Sequence, residues 1–111
     1  MIKVTDEILG QMTEAIVREV HPARVYLFGS RAKGQARDDS DVDLLVVEDQ
    51  PFGLERSRLQ ELQRIRGALS SYFIPKDVLV FSADEFAQWR ASPNHIVSEC
   101  IREGRLLYAR P

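Results

Sequence analysis

The chain has 111 residues, of which 44% are hydrophobic and 29% charged, the balance of an ordinary globular protein with room for one core. Its formal net charge of −2 excludes strong non-specific attraction to nucleic acid or to an anionic membrane. Cys100 is the only cysteine, and no apolar run reaches the roughly 20 residues of a membrane span. We therefore expect a single cytoplasmic domain over residues 1–111, with no internal disulfide, signal peptide or membrane partner.

The amino-terminal part of the chain predicts a helix followed by a buried strand. Thr5 is a favourable cap in front of two acidic residues, and the His-Pro pair at 21–22 ends the helix. A strand over residues 24–28 follows and brings Gly29 to its carboxyl end. The helix has an apolar face at helical spacing, formed by Ile8, Leu9, Met12, Ile16 and Val20.

The rest of the chain alternates between strands and helices. A polar loop leads to a second strand over residues 44–47, and a helix is predicted from Leu54 to Tyr72. The predicted buried face of that helix consists of Leu59, Leu62, Ile65, Leu69 and Tyr72. The remaining elements are a strand over 76–81, a helix capped by Ser82 that reaches Arg90, a helix from Ser92-Pro93 to Gly104, and a strand over 106–108. Because the first two strands are not joined by a hairpin, this order predicts an α/β (α+β) domain with a mixed sheet flanked by helices.

Two carboxylates enter the second strand together. Asp41 and Asp43 are two residues apart, so both side chains point to the same side of an extended chain. Like charges beside a core repel each other and lose hydration, and a bound cation compensates for both effects. The Asp-x-Asp pair therefore predicts a divalent cation site at the start of this strand.

Two further features become specific only in combination with that pair. Gly29-Ser30 is by itself a common turn, although such a turn can also present backbone N–H groups to a phosphate. Asp77 begins an otherwise apolar strand and looks buried; its carboxylate could equally be satisfied by Lys76 or by a backbone N–H group. If the three strands are neighbours, the acids and the glycine turn meet at one edge of the sheet. That combination is what Mg²⁺-nucleotide chemistry requires.

The spacing of these residues resembles a known signature. Gly-Ser-Arg-Ala-Lys-Gly at residues 29–34, then Ser40-Asp41-Val42-Asp43-Leu44, and Asp77 on a later strand, resemble the motif of the DNA polymerase β-type nucleotidyltransferase superfamily. The likeness is greatest to the minimal nucleotidyltransferase (MNT) group, which includes MntA-like antitoxins of HEPN/MNT pairs, and it extends over most of the chain. It implies the small polymerase β-like nucleotidyltransferase fold.

The resemblance also implies an activity, the Mg²⁺-dependent transfer of AMP from ATP to a hydroxyl. Asp41, Asp43 and Asp77 would be the catalytic, metal-holding residues, with two ions about 3.5–4 Å apart, and Asp77 would help to deprotonate the acceptor. The nucleotide-binding residues would be Gly29, Ser30, Arg31, Lys33 and Ser40. Long basic side chains in loops are often merely solvated, and Ser40 could cap a turn instead, so those alternatives stay open.

Partners follow from the same resemblance. Related proteins of this size are often encoded beside a HEPN-domain protein and form a toxin–antitoxin pair, in which the nucleotidyltransferase can transfer AMP to a tyrosine of the toxin. ATP and a HEPN-domain protein are therefore the expected partners. A homo-oligomer is the alternative, since the chain is too short for a second domain that would grip the acceptor.

Two other functions remain open. The chain could be a non-catalytic antitoxin that neutralises its partner by occlusion, although the presence of all three carboxylates argues against it. It could also be a nucleotidyltransferase that modifies a small molecule such as an antibiotic. The absence of an acceptor domain argues against this alternative.

Overall fold

The computed structural model describes residues 3–111, in which four helices and four strands follow in the predicted order. The elements are α1 (Asp6–Val20), β1 (Arg24–Phe28), β2 (Val42–Glu48), α2 (Arg58–Ala68), β3 (Lys76–Ser82), α3 (Ala83–Trp89), α4 (Ile96–Glu103) and β4 (Arg105–Ala109). Over this described range no helix combines the length and the apolar character needed to cross a bilayer.

The strands form one mixed sheet, as predicted, in the order β3-β2-β1-β4. β1 is antiparallel to β2 and to β4, whereas β2 and β3 are parallel. Phe28 at the end of β1 pairs with Asp43 near the start of β2, and Asp43 in turn pairs with Asp77 in β3. The carboxyl end of β1 and the amino ends of β2 and β3 therefore meet, and we call this place, marked by Phe28, Asp43 and Asp77, the acidic rim.

Helices cover both faces of the sheet. Along β2, Val42, Leu44 and Val46 pack with α1 and α2, while Leu45 and Val47 pack with α3 and α4. This alternation follows from the two-residue period of a strand, and it makes both faces of β2 apolar, as the sequence predicts. Asp43 projects to the face that carries Leu45, so its carboxylate lies on the α3–α4 side of the sheet.

The first helix matches its prediction and the second does not. In α1, the Thr5 hydroxyl accepts a hydrogen bond from the Ile8 N–H at 3.2 Å. The predicted helix from Leu54 to Tyr72 is shorter at both ends in the structure: Ser57 caps it, its first helical residue is Arg58, and it ends at Ala68. The preceding residues instead form a loop closed by a bridge between Gly53 and Arg56.

The predicted burial of Leu59 is also wrong, since its side chain is 64% exposed. The buried positions of α2 are Glu61 and Ile65, followed by the buried cap residue Leu69, at a constant spacing of four residues. Leu59 is two residues before Glu61 and hence about 200° away around the helix. The predicted apolar face included this leucine because an acid was not expected to be buried.

The last two helices show how competing caps decide where a helix begins. Ser82 caps α3 as predicted, in a capping box with Glu85. The predicted start of α4 at Ser92 is wrong, because His95 caps that helix and its Nδ1 accepts a hydrogen bond from the Val97 N–H at 3.1 Å. Ser92 belongs to the turn before the helix, and its carbonyl accepts a hydrogen bond from the His95 N–H.

Candidate functional site

Gly29 brings the turn after β1 into contact with the Asp-x-Asp strand. Its φ is 74°, in the left-handed region that costs other residues roughly 1–2 kcal/mol. A Cβ atom at this position would overlap Oδ2 of Asp43. Glycine is therefore required twice, for the backbone conformation and for the room that the Asp43 carboxylate occupies.

The three predicted acids lie at the acidic rim, but they differ in environment. Asp43 is half-buried, whereas Asp41 and Asp77 are exposed. Burial raises the pKa of Asp43, and the negative charges of Asp77 and Asp41 raise it further, against the opposing charge of Arg31. The expectation that Asp77 is buried is wrong: β3 is an edge strand, and Leu79 and Phe81, on the same face of it as Asp77, are themselves only partly buried.

The three carboxylates carry like charges and do not form a preformed metal site in the described residues. Within residues 3–111 no three His, Cys, Asp or Glu side chains stand close enough to form a ready-made metal cluster. The donor set nonetheless fits a hard divalent cation, since it consists of carboxylate oxygens. Burial is the largest cause of the raised pKa of Asp43, and the second is the negative charge of Asp77 and Asp41. A divalent cation would neutralise this negative charge.

Residues 30–34 form a compact turn directly beside Asp43. The N–H groups of Lys33 and Gln35 donate to the carbonyls of Gly29 and Ser30, at 3.3 and 2.9 Å. The N–H groups of the three residues from Ser30 to Ala32 donate none of the backbone hydrogen bonds found in this turn. The turn thus resembles the first turn of a helix, whose leading N–H groups are available to an anion.

The polar side chains predicted to bind nucleotide make contacts within the chain. Lys33 Nζ forms ion pairs with Glu99 at 3.1 Å and Glu103 at 3.0 Å, which tie the turn to α4. Ser40 caps its own loop, since its hydroxyl accepts a hydrogen bond from the Arg37 N–H at 2.8 Å. The Arg31 guanidinium donates to the Ser40 carbonyl from both Nε and Nη2, at 3.1 and 2.6 Å.

Sequence reasoning missed the two glutamates of α4. Glu99 and Glu103 lie on one side of that helix, four residues apart, and both form ion pairs with Lys33. Lys33 lies 66 residues before Glu99 in the chain. The four-residue spacing is visible in the sequence, but nothing local connects it with Lys33. Only the packing of α4 beside β1 brings these side chains together.

A cavity of about 450 Å³ lies at the opposite end of β2, away from the acidic rim. Its wall contains Glu48, Arg56, Glu61 and Arg64, which form one network: Arg56 contacts both glutamates, and Arg64 contacts Glu61. Oε2 of Glu48 is buried and makes no hydrogen bond in the structure. The two glutamates are buried and Arg64 is exposed, so the network connects the interior with the surface at the end of β2 opposite the acidic rim.

A mixed sheet that brings an Asp-x-Asp strand, a further aspartate and a glycine turn to one rim is the arrangement that the sequence resemblance implies for a nucleotidyltransferase. The chain belongs to the family described as Polymerase beta, Nucleotidyltransferase, whose pattern matches residues 11–111. Among curated proteins, none matches the chain.

Three solved structures share the fold. A presumed nucleotidyltransferase from Sulfolobus solfataricus is 24% identical, with a TM-score of 0.58, covering 99% of this chain and 93% of its own. A toxin–antitoxin complex with AMP-PNP contains a similar chain, 19% identical with a TM-score of 0.56, covering 91% and 73%. The complex of the tri-AMPylated Shewanella oneidensis HEPN toxin with an MNT antitoxin contains another, 17% identical with a TM-score of 0.54, covering 96% and 74%. At these identities the similarity extends to the fold alone.

Proposed function

We propose that this chain is an Mg²⁺-dependent nucleotidyltransferase that moves AMP from ATP to a tyrosine hydroxyl of a HEPN-domain partner, as the antitoxin of a toxin–antitoxin pair. Membership of the nucleotidyltransferase family supports the general reaction. The similar fold of chains from toxin–antitoxin complexes, one with AMP-PNP and one with a tri-AMPylated HEPN toxin, supports the donor and the acceptor.

The observation that carries the proposal is the contact between Gly29 and Asp43. The glycine turn and the carboxylate lie so close that a methyl group at position 29 would overlap Asp43 Oδ2. A triphosphate on the N–H groups of this turn would therefore lie beside the carboxylates at the acidic rim, where divalent ions would bind. Burial is the largest cause of the raised pKa of Asp43, and the negative charges of Asp77 and Asp41 raise it further. A divalent cation at the rim would neutralise those two charges.

In the proposed reaction, Asp41, Asp43 and Asp77 would hold Mg²⁺; Asp43 pairs with Asp77 in the sheet and is affected by the charges of both other aspartates. When bound, Mg²⁺ neutralises the triphosphate and stabilises the attacking and leaving oxygens. The N–H groups of the turn and the Ser30 hydroxyl hold the β- and γ-phosphates, and so direct the α-phosphorus toward the acceptor.

The transfer itself exchanges one phosphorus–oxygen bond for another. The acceptor oxygen forms a bond to the α-phosphorus, and the bond from that phosphorus to the bridging oxygen breaks, so that pyrophosphate leaves with the electron pair. Asp77 receives the acceptor proton and, being exposed, passes it to water. The same exposure leaves the rim open to the side chain of a docked protein.

A double-label experiment tests the reaction. The chain is incubated with Mg²⁺, a HEPN-domain protein encoded beside it, and ATP labelled in either the α- or the γ-phosphate. We expect label on the partner from α-labelled ATP only, and mass spectrometry should place AMP on a tyrosine. Asp43→Asn should abolish the label, whereas Glu14→Gln, at an exposed position of α1, should retain it. Label from γ-labelled ATP, or none from either, would contradict the proposal.

One observation favours a second function, neutralisation of the partner by occlusion. Arg31 and Lys33 are both engaged within the chain, and the carboxylates do not form a ready-made cluster in the described part of the chain. A growth assay with the co-expressed partner separates the two functions. Asp43→Asn should lose protection if AMP transfer neutralises the partner, and should keep it if binding alone suffices.

A further inference from the structure

Arg31 joins the two loops that build the acidic rim. Its main chain belongs to the turn after β1, and its carbonyl accepts a hydrogen bond from the Gly34 N–H at 3.4 Å. Its guanidinium crosses to the loop before β2, where Nη2 donates to the carbonyls of Ser40 at 2.6 Å and Asp38 at 3.3 Å. Nε adds a second hydrogen bond to Ser40, at 3.1 Å.

The loop that receives this guanidinium has few other supports. Asp41 precedes β2, which begins at Val42, so the ladder of the sheet does not hold it. The Ser40 N–H donates to the Arg37 carbonyl at 3.1 Å, and the Ser40 hydroxyl accepts from the Arg37 N–H. Both hydrogen bonds lie within the loop and do not attach it to the rest of the fold. The first attachment comes one residue after Asp41, where the Val42 N–H donates a hydrogen bond to the Pro75 carbonyl at 2.9 Å.

The chemistry of arginine suits this position. A guanidinium is planar and carries its N–H donors in a rigid fork, so one side chain can hold two carbonyls of a turn in a fixed relation. An ammonium group on a flexible stem has no such geometry. Both Nε and Nη2 point at main-chain carbonyls, and the residue that follows Ser40 is the first acid of the Asp-x-Asp pair.

From these contacts we infer that Arg31 is a positioning residue, which fixes the Asp38–Ser40 loop against the phosphate-binding turn and thereby sets the place of Asp41 at the acidic rim. This differs from the direct nucleotide contact that the resemblance implies for Arg31. The inference rests on the proposed function for its consequence in metal binding, but the loop placement stands independently of it.

Amide hydrogen exchange tests the placement without substrate. The amides of Arg37 and Ser40 are hydrogen-bonded within the loop, and both should exchange faster in Arg31→Gln and in Arg31→Lys. The Val42 amide, held by Pro75, is an internal reference that should not change. Arg18→Gln, an exposed arginine of α1, is the matched control and should leave all three amides as they are.

Binding measurements separate positioning from direct contact. If Arg31 acts through Asp41, both variants should raise the half-saturating Mg²⁺ concentration for ATP binding by roughly 10–100-fold, the range for groups that orient metal ligands. ATP affinity in EDTA should remain unchanged, because the backbone cradle does not use this side chain. The lysine variant should not rescue the loss, since it keeps the charge and lacks the fork.

Each alternative outcome overturns the inference. Recovery by Arg31→Lys would reduce the role to charge, and a loss of metal-free ATP affinity in Arg31→Gln would indicate a phosphate ligand. Unchanged exchange at Arg37 and Ser40 would show that the contacts do not hold the loop. Should the unaltered chain bind no Mg²⁺-ATP, the proposed function fails, while the exchange experiment still decides the role of Arg31.

Discussion

Glu48 ends β2 inside the fold, and its side chain is only 4% exposed. Burial, then the hydrogen bond to Glu61 and the charge of Glu61, raise the pKa of Glu48 from 4.5 to about 8, although Arg56 acts in the opposite direction. A protonated Glu48 can donate a hydrogen bond to the Glu61 carboxylate, which an ionised Glu48 cannot do. We therefore predict that folding of this protein is linked to one proton at Glu48.

The sign and size of the effect follow from the pKa of Glu48 in the two states. Between about pH 4.5 and pH 8 the folded chain binds one proton that the unfolded chain has released, so the free energy of unfolding falls as the pH rises. The slope for one proton is about 1.4 kcal/mol per pH unit, which amounts to about 3–4 kcal/mol between pH 5 and pH 8. Burial raises the pKa of Glu61, but its hydrogen bond with Glu48 and the charges of Arg56 and Arg64 outweigh this and lower it. The linkage of Glu61 therefore acts below about pH 4.5.

Glu48→Gln isolates this contribution, because the amide keeps the shape and the hydrogen-bonding capacity of the protonated acid and does not titrate. Urea unfolding at pH 5, 6, 7 and 8 should give a variant that loses much less stability across this range than the unaltered protein. Glu14→Gln, which replaces an exposed carboxylate, should keep the original slope. If Glu48→Gln and the unaltered protein respond to pH in parallel, Glu48 is ionised in the fold and the reasoning is wrong.

Three further predictions concern single substitutions. Gly29→Ala should destabilise the fold by at least about 1–2 kcal/mol in urea unfolding, since alanine disfavours the positive φ. It should also abolish AMP transfer, because its methyl group displaces the Asp43 carboxylate. Transfer at the unaltered rate would contradict the assignment of the site. Asp77→Asn should lower the pKa of Asp43 in a carbon-13 NMR titration, because burial remains while the negative charge with the larger effect on Asp43 is removed. An unchanged pKa would show that the two groups do not interact. Ser82→Ala should cost about 1 kcal/mol in urea unfolding, because it removes the capping box with Glu85, and should leave Mg²⁺-ATP binding unchanged.

The acidic rim illustrates what the sequence alone can predict. Asp43 and Asp77 are each the second residue of a strand, and the sequence placed them together only on the condition that the two strands are neighbours. The structure supplies that condition, since β2 and β3 are adjacent and parallel and Asp43 pairs with Asp77. The place of Gly29 beside Asp43 followed in the same way from the end of β1. These are consequences of strand direction, which the order of elements largely determines.

What the sequence did not reveal depends on long-range packing or on competition between similar local signals. Ser57 caps α2 three residues after the predicted start at Leu54, and His95 caps α4 although Ser92 was the predicted cap. The energies of alternative caps differ by only about 1 kcal/mol. The exposure of Asp77 depends on β3 being an edge strand. The ion pair of Lys33 with Glu99 joins distant segments that no local pattern relates.

Calorimetry of Mg²⁺ with an ATP analogue that has a methylene group between the α- and β-phosphorus atoms tests the central claim most directly, because this analogue cannot release pyrophosphate. We expect Mg²⁺-dependent binding to the unaltered chain, alone or in complex with its HEPN-domain partner. Asp43→Asn should lose that binding, and Glu14→Gln should bind normally. Absence of heat from the unaltered chain both alone and with its partner, or equal binding by Asp43→Asn, would contradict the assignment of the acidic rim as a metal–nucleotide site.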